Sequence, residues 1–379
     1  MEGIVLALFV CLVLALLSKY LSVPAIPFYI LAGVALGKAG LGLVASSDIS
    51  SFIAQMGLIF LLFFMGLGLK VERIASNRDA VLLAGIIDLN VNMLIGFAAA
   101  YLLGYSIVES LVIASAFYIS STAMAITSLV ENRKLMMRES ETIVWLMVFE
   151  DLVLIIVLAL VTAGDQNLIV FAAKILFVLA ILYGLAHYGK EFLISILERD
   201  DELPIIFTFA AVLTTASFAM YLGVPDTMMV IALGVAFATT DPDAFEQHAR
   251  PFKDVFLVVF FVFFGVTIDL SGGFNLYVIG IICVLAVVSK LISGLLTGIC
   301  LHGSALSGLE IWAHTISRGE FSIALAVLYG SPPVAATIAA MVIVTSIIGA
   351  FIAKYATPLR RGLAHLGRGA PSRRVHARH

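Results

Sequence analysis

The feature that most constrains this chain is a succession of long apolar segments with almost no charge inside them. A soluble domain carries charge on about a quarter of its residues, whereas this chain has 12% charged and 62% hydrophobic residues. A helix needs about 20 apolar residues to cross ~30 Å of hydrocarbon, and these runs are continuous rather than alternating, as membrane strands would require. The sequence therefore predicts an all-α integral membrane protein. Cutting at polar, glycine and proline positions gives about 13 transmembrane helices, at approximately residues 3–21, 25–44, 51–69, 79–104, 107–130, 138–163, 167–187, 203–221, 225–240, 252–270, 275–301, 307–330 and 332–355.

Basic residues in the loops and near the ends of these segments indicate the orientation, since cytoplasmic loops collect Lys and Arg. With thirteen spans, every such residue except Lys38 falls on the face that carries the C-terminus. We therefore expect the N-terminus outside, the C-terminus in the cytoplasm, and the protein in the cell (inner) membrane. Residues 359–379 form an arginine-rich tail, which we expect to be solvated on the cytoplasmic side, touching anionic lipid.

Three ionisable residues lie near the middle of predicted spans, where each costs about 2.5–3.5 kcal/mol and so requires a partner or a function. Glu150 and Asp151 lie in the sixth segment and Lys290 in the eleventh. Neighbouring helix residues point about 100° apart, so the two acids should have separate roles. We expect Glu150 to pair with Lys290, while Asp151 faces a water-filled cavity and binds either a cation or a proton. The alternative is a helix–helix ion pair whose third charge is incidental.

Two polar interruptions occur at comparable depth in the two halves of the chain. The fifth segment contains Ser121 and Thr122, and the twelfth contains Arg318 and Glu320 around a glycine. Unwound backbone inside a membrane is tolerated only beside a cavity, and paired interruptions indicate a transporter site built on inverted repeats. We expect Glu320 to pair with Arg318 or Lys290 and to be structural.

Asp88 and Asn92 form a polar stripe one helical turn long on the fourth segment. Two interpretations stay open for them. They either support the ion site from behind its ligands or make a simple interhelical hydrogen bond.

Six stretches occur in an order and spacing that resembles the monovalent cation:proton antiporter-2 family, which includes Kef-type potassium efflux systems and sodium/proton exchangers. They are PFYILAGVALGKAGLGLV, QMGLIFLLFFMGLGL, SSTAMAITSLVE, FEDL, PFKDVFLVVFFVFFGVTIDLS and SRGEFS. The resemblance implies thirteen helices in two inverted repeats, with two crossing broken helices, over residues 1–358. It also implies a homodimer, with a dimer domain of helices 1–3 and 8–10 and a mobile core domain of helices 4–6 and 11–13.

The same resemblance implies roles for individual residues. The essential aspartate of the family falls on Asp151 and its basic residue on Lys290, while the broken helices match at Ser121 and Thr122 and near Arg318 to Glu320. Kef-type members have glutamine before the aspartate, whereas two-acid sodium exchangers have an acid there. Glu150 therefore resembles the sodium exchangers, although the surrounding stretches resemble Kef-type proteins.

These observations predict an alternating-access antiporter that exchanges protons for sodium or potassium, with Asp151 as the ion and proton carrier. A small-anion transporter or channel that uses Lys290 and Arg318 is the alternative. No combination of nucleophile, base and orienting group is found in the sequence, so a transporter is expected rather than an enzyme. No phosphate-binding glycine motif, metal-ligand spacing or basic block occurs either, so we expect no cofactor, no resident metal and no nucleic-acid partner.

Overall fold

The computed structural model describes residues 2–21, 25–45, 47–68, 78–134, 136–163, 167–222, 224–268 and 275–368. Within these ranges the chain forms helices and no strand. Seven stretches of 20–27 residues are long and apolar enough to cross a membrane, and five shorter apolar helices accompany them. The all-helical membrane fold is confirmed, and the count of thirteen spans stays a prediction. The helices are α1 (Glu2–Leu21), α2 (Ala25–Leu36), α3 (Asp48–Leu67), α4 (Arg78–Leu102), α5 (Ile107–Tyr118), α6 (Thr122–Glu131), α7 (Arg138–Ala163), α8 (Leu168–Tyr188), α9 (Lys190–Leu197), α10 (Leu203–Leu222), α11 (Asp226–Ala238), α12 (Pro242–Thr267), α13 (Leu276–His302), α14 (Ala305–Thr315), α15 (Glu320–Tyr329) and α16 (Pro332–Arg368).

Three helix boundaries differ from the predicted segments. α2 ends at Leu36, and turns follow it where the apolar run continues. α12 begins about ten residues early, because the Asp241 side chain accepts a hydrogen bond from the Ala244 amide at 3.0 Å and Pro242 starts the first turn. α16 continues through the first part of the predicted tail to Arg368, while residues 369–379 lie outside the described part of the chain.

Both predicted polar interruptions are breaks between helices. Residues 119–121 separate α5 from α6, and residues 316–319 separate α14 from α15. The hydroxyl of Ser121 caps α6 by accepting a hydrogen bond from the Met124 amide at 3.4 Å. Each break leaves backbone amides and carbonyls without helical partners, and these groups build the site.

The helices pack in two groups. One consists of α1–α3 with α10–α12, and α8 packs against α11 of this group; the other consists of α4–α7 with α13–α16. α2 contacts α16 and α7 contacts α8 where the groups meet. The assignment of these groups to a dimer domain and a mobile core domain stays a prediction.

Two glycine pairs bring helices of the first group to backbone contact. Gly33 of α2 meets Gly265 of α12, and Gly66 of α3 meets Gly234 of α11. A methyl group on any of the four would lie only 2.0–2.3 Å from a carbonyl oxygen of the facing helix. Small residues permit this close packing where lipid provides no hydrophobic driving force. The contacts join the second predicted span to the tenth and the third to the ninth. Inverted repeats in which spans 2 and 3 correspond to spans 9 and 10 would produce this pair of contacts.

Candidate functional site

A buried ion triad joins three helices in the centre of the second group. The ammonium of Lys290 in α13 lies 2.7 Å from Asp88 Oδ2 in α4 and 2.8 Å from Glu150 Oε1 in α7. All three residues are at most 2% exposed. The predicted contact between Glu150 and Lys290 is thus present. Asp88 makes a direct ion pair with the same lysine, which neither interpretation of the α4 stripe included.

Polar neighbours donate hydrogen bonds to Asp88 Oδ1, the carboxylate oxygen that does not contact Lys290 in the ion pair. Asn92 donates to Asp88 Oδ1 at 2.9 Å, and Ser293 donates to the same oxygen at 2.7 Å. The Ser289 hydroxyl donates to Asn92 Oδ1, the side-chain amide oxygen, at 2.7 Å. The stripe therefore makes interhelical hydrogen bonds and also supports the triad. Ser289 and Ser293, on either side of Lys290 in an apolar helix, are a sequence signal that could have identified this network but was not used.

The triad holds two carboxylates but one ammonium. With every group ionised it carries one net negative charge, which is costly in a buried site because its compensation is incomplete. Uptake of a single proton by either carboxylate would neutralise it. The arrangement is therefore chemically suited to hold or release one proton.

The two breaks cross beside Glu150. The Ser121 amide donates to the Ser317 carbonyl oxygen at 2.8 Å, so the unwound segments share a backbone hydrogen bond. Gly319 permits this approach, since a methyl group there would lie 2.4 Å from Ser121 Oγ. The Ser120 hydroxyl lies 3.0 Å from Glu150 Oε1, and the Ser120 amide donates to Glu150 Oε2. Any change in the charge of Glu150 therefore acts directly on the first break.

The predicted pairing of Arg318 with Glu320 is wrong. The guanidinium of Arg318 is fully buried and donates to four backbone carbonyls, at distances of 2.7 Å to Phe117, 3.2 Å to Thr315 and 3.1 Å to Ala286, with Ile316 as the fourth. Three of these carbonyls lie at or just beyond the C-terminal ends of α5 and α14, which the helix dipoles make negative. Arg318 thus donates hydrogen bonds to carbonyls that have no helical partner because of the breaks.

Glu320 begins α15 directly after Gly319, within electrostatic range of Asp151 in α7 and of Lys253 in α12. Lys253 also lies 4.5 Å from the centre of the Phe64 ring in α3. No ion pair of Glu320 with Lys290 occurs among the described residues. The predicted pairing of Glu320 is therefore wrong for both candidate partners.

Asp151 and Thr122 each have a buried side-chain oxygen that makes no hydrogen bond to the described part of the chain, as does Tyr118 at the end of α5. Asp151 Oδ1 and Thr122 Oγ1 are both inaccessible to solvent, and neither has a hydrogen-bond partner within the described ranges. Buried polar atoms are nearly always hydrogen-bonded, so this carboxylate oxygen has an unused capacity to accept a proton or to contact a cation. Both are oxygen atoms, which are the ligands that alkali cations prefer.

A second buried network, which sequence analysis missed, lies in the same helix group. Lys134, expected in a cytoplasmic loop, is 5% exposed and lies 2.8 Å from Glu310 Oε2. It also lies 3.3 Å from His314 Nε2, whose Nδ1 is 2.5 Å from Ser128 Oγ. This network ties the connection after α6 to α14.

Comparisons with known proteins agree with this geometry. Residues 4–356 match the family model described as sodium/hydrogen exchanger, transmembrane. The chain is 29% identical to the potassium/proton antiporter subunit KhtU of Bacillus subtilis, over 92% of this chain and 91% of that protein. It is 27% identical to the ammonium/proton antiporter subunit AmhT of Alkalihalophilus pseudofirmus, over 89% and 88% of the two chains.

A solved structure shows the same fold. The sodium proton antiporter MjNhaP1 of Methanocaldococcus jannaschii aligns with a TM-score of 0.70 at 18% identity, covering 94% of this chain and 97% of that chain. The family match extends over almost the whole chain and includes both helix breaks and all three members of the buried triad. The chain therefore belongs to the sodium/hydrogen exchanger family and is a membrane transporter, not an enzyme, that exchanges cations for protons.

Proposed function

We propose that Asp151 binds the transported cation and that the triad of Asp88, Glu150 and Lys290 responds by taking up or releasing a proton. The observation that carries the proposal is the buried Asp151 Oδ1 without a hydrogen-bond partner among the described residues, one position from the triad. Thr122 Oγ1, another of the five buried side-chain oxygens without a partner among the described residues, is the proposed second ligand.

Exchange follows from competition at one carboxylate. A cation on Asp151 requires the ionised form, whereas protonation removes the charge that holds the cation. Glu150 is adjacent in the chain and repels a charged Asp151. A bound cation relieves that repulsion, so cation binding and proton release are coupled at the two neighbouring acids.

We further propose that the cation is monovalent, with potassium first and sodium second. The relative with 29% identity is named a potassium/proton antiporter subunit, and another at 26% identity, from Bacillus cereus, is named a sodium/proton–potassium antiporter. The orientation, with the N-terminus outside and the C-terminus cytoplasmic in the cell membrane, is part of the same proposal. So are the homodimer and the movement of a core domain against a dimer domain.

The anion alternative has little support at this site. An anion would need a free cationic group, but Lys290 is matched by two carboxylates and Arg318 by four carbonyls. Neither could bind an anion without breaking these contacts first. Transport of a small anion is therefore not proposed.

The test is cation-driven proton movement in proteoliposomes, followed with a pH dye under imposed potassium or sodium gradients. We expect exchange in the wild type and in Asp201→Asn, a control on an exposed acid whose ion pair with Arg199 lies at the surface. Asp151→Asn should abolish exchange, because it keeps the size of the side chain and removes the charge. Full exchange in Asp151→Asn would overturn the assignment.

A further inference from the structure

A cavity of about 830 Å³ lies between the two helix groups, and none of the three triad residues is among its lining residues. One wall comes from the end of α1 and the start of α2, and the other from α6, α14 and α16. Ser317 of the second break and Gly349 lie on its lining. The α1 and α16 residues of the lining are at the chain positions that the basic-residue distribution assigns to the cytoplasmic face.

The charge of the cavity is unlike that of a cation route. Its charged lining residues are Lys19 and Lys354, and no carboxylate belongs to the lining within the described part of the chain. The remaining polar groups are neutral donors and acceptors, including Ser128, Asn132 and the His314 ring. Two ammonium groups repel a cation and attract an anion. Charge complementarity therefore specifies an anionic occupant.

Aromatic neighbours place the cavity at the lipid headgroups. Tyr20 and Tyr355 directly follow the two lysines and are 86% and 57% exposed. Tyrosine is enriched at the membrane–water interface, where basic side chains also anchor helices. Phe351, one turn before Tyr355, is also exposed and adds apolar surface to the same end of α16. An anion that reaches the lysines from this depth carries acyl chains.

We propose that this cavity binds the phosphate of an anionic phospholipid, with Lys19 and Lys354 as its cationic ligands. Basic pockets between transmembrane helices on the cytoplasmic side are suited to such headgroups. The headgroup would bridge the two helix groups, because one lysine lies on α1 and the other on α16. It would also lie above the second break, so that occupancy alters the exchange rate. Only this last effect rests on the proposed exchange function.

Binding is measured by the shift in thermal unfolding temperature of the detergent-solubilised protein during titration with phosphatidylglycerol, with phosphatidylcholine as the neutral lipid. We expect only the anionic lipid to stabilise the wild type. In Lys19→Gln/Lys354→Gln the apparent affinity should fall about thirty-fold, from the attraction that each lysine contributes near an anionic headgroup. Lys190→Gln/Arg250→Gln removes two exposed positive charges from the same predicted face outside the cavity and should bind as the wild type does.

Several outcomes would overturn the proposal. If phosphatidylglycerol stabilised both double variants equally, the lipid would bind outside the cavity. If inorganic phosphate stabilised the wild type as much as phosphatidylglycerol does, the occupant would be a free anion rather than a lipid. If the glutamine variant does not fold, Lys19→Arg/Lys354→Arg must retain the lipid shift, and its loss contradicts the site. Exchange in vesicles with and without phosphatidylglycerol is the separate readout, and binding without any exchange activity would count against the proposed function alone.

Discussion

Replacing Lys290 by glutamine should destabilise the protein far more than replacing Asp88 by asparagine. Lys290→Gln leaves two carboxylates, Asp88 and Glu150, buried at 2% and 1% exposure without a cation. Removing one partner of a buried ion pair costs about 3–5 kcal/mol. Asp88→Asn instead leaves a neutral pair, with Lys290 still 2.8 Å from Glu150. Asp88→Asn should therefore lower the free energy of unfolding by about 1–2 kcal/mol, the range for altered hydrogen bonds.

The assay is the thermal unfolding midpoint of the purified protein at a fixed heating rate, measured between pH 6 and pH 9. We expect Lys290→Gln to lower the midpoint by roughly 5–10 °C and Asp88→Asn by a few degrees. The penalty of Lys290→Gln should shrink at pH 6, because protonation neutralises the stranded carboxylates. The triple variant Asp88→Asn/Glu150→Gln/Lys290→Gln should recover most of the loss. Equal midpoints for Lys290→Gln and Asp88→Asn at every pH would refute the reasoning.

Three further predictions follow from packing and polar contacts. Gly66→Ala should lower the unfolding midpoint, because its methyl group meets a carbonyl oxygen at 2.2 Å, whereas Gly280→Ala, with open space around it, should not. Glu310→Gln should cost about 3–5 kcal/mol in thermal unfolding by stranding a buried lysine, and Glu246→Gln, in a surface pair with Arg250, at most about 1 kcal/mol. Arg318→Lys should reduce proteoliposome exchange at least about tenfold, because an ammonium has three donors and cannot serve four carbonyls; wild-type exchange in this variant would contradict the role given to the guanidinium.

Some of this structure could be predicted because burial in lipid leaves few choices. Apolar runs fix where spans lie, and a polar run inside one requires a break, as at Ser121 and Arg318. Helix ends were less predictable. α12 starts early because of a local cap at Asp241, and such caps depend on a few side chains rather than on hydrophobicity.

The site was predicted in part for the same reason. Depth along a helix indicated that Glu150 and Lys290 meet, but it gives no rotation about the helix axis, so Asp88 was not identified as a second partner of the lysine. The partners of Arg318 are backbone carbonyls, which carry no sequence signal. Lys134 and Glu310 lie near predicted helix ends, where charges are usually solvated, and only the fold shows that both are buried.

The central claim is that cation and proton compete for the carboxylate of Asp151. It is tested most directly by the initial rate of rubidium-86 uptake, rubidium replacing potassium, into proteoliposomes with equal pH on both sides, at a series of cation concentrations and pH values. Competition predicts that KM rises by up to about tenfold for each unit of pH lowered, while the maximal rate is unchanged. A maximal rate that falls with pH at constant KM, or uptake that persists in Asp151→Asn, would contradict it.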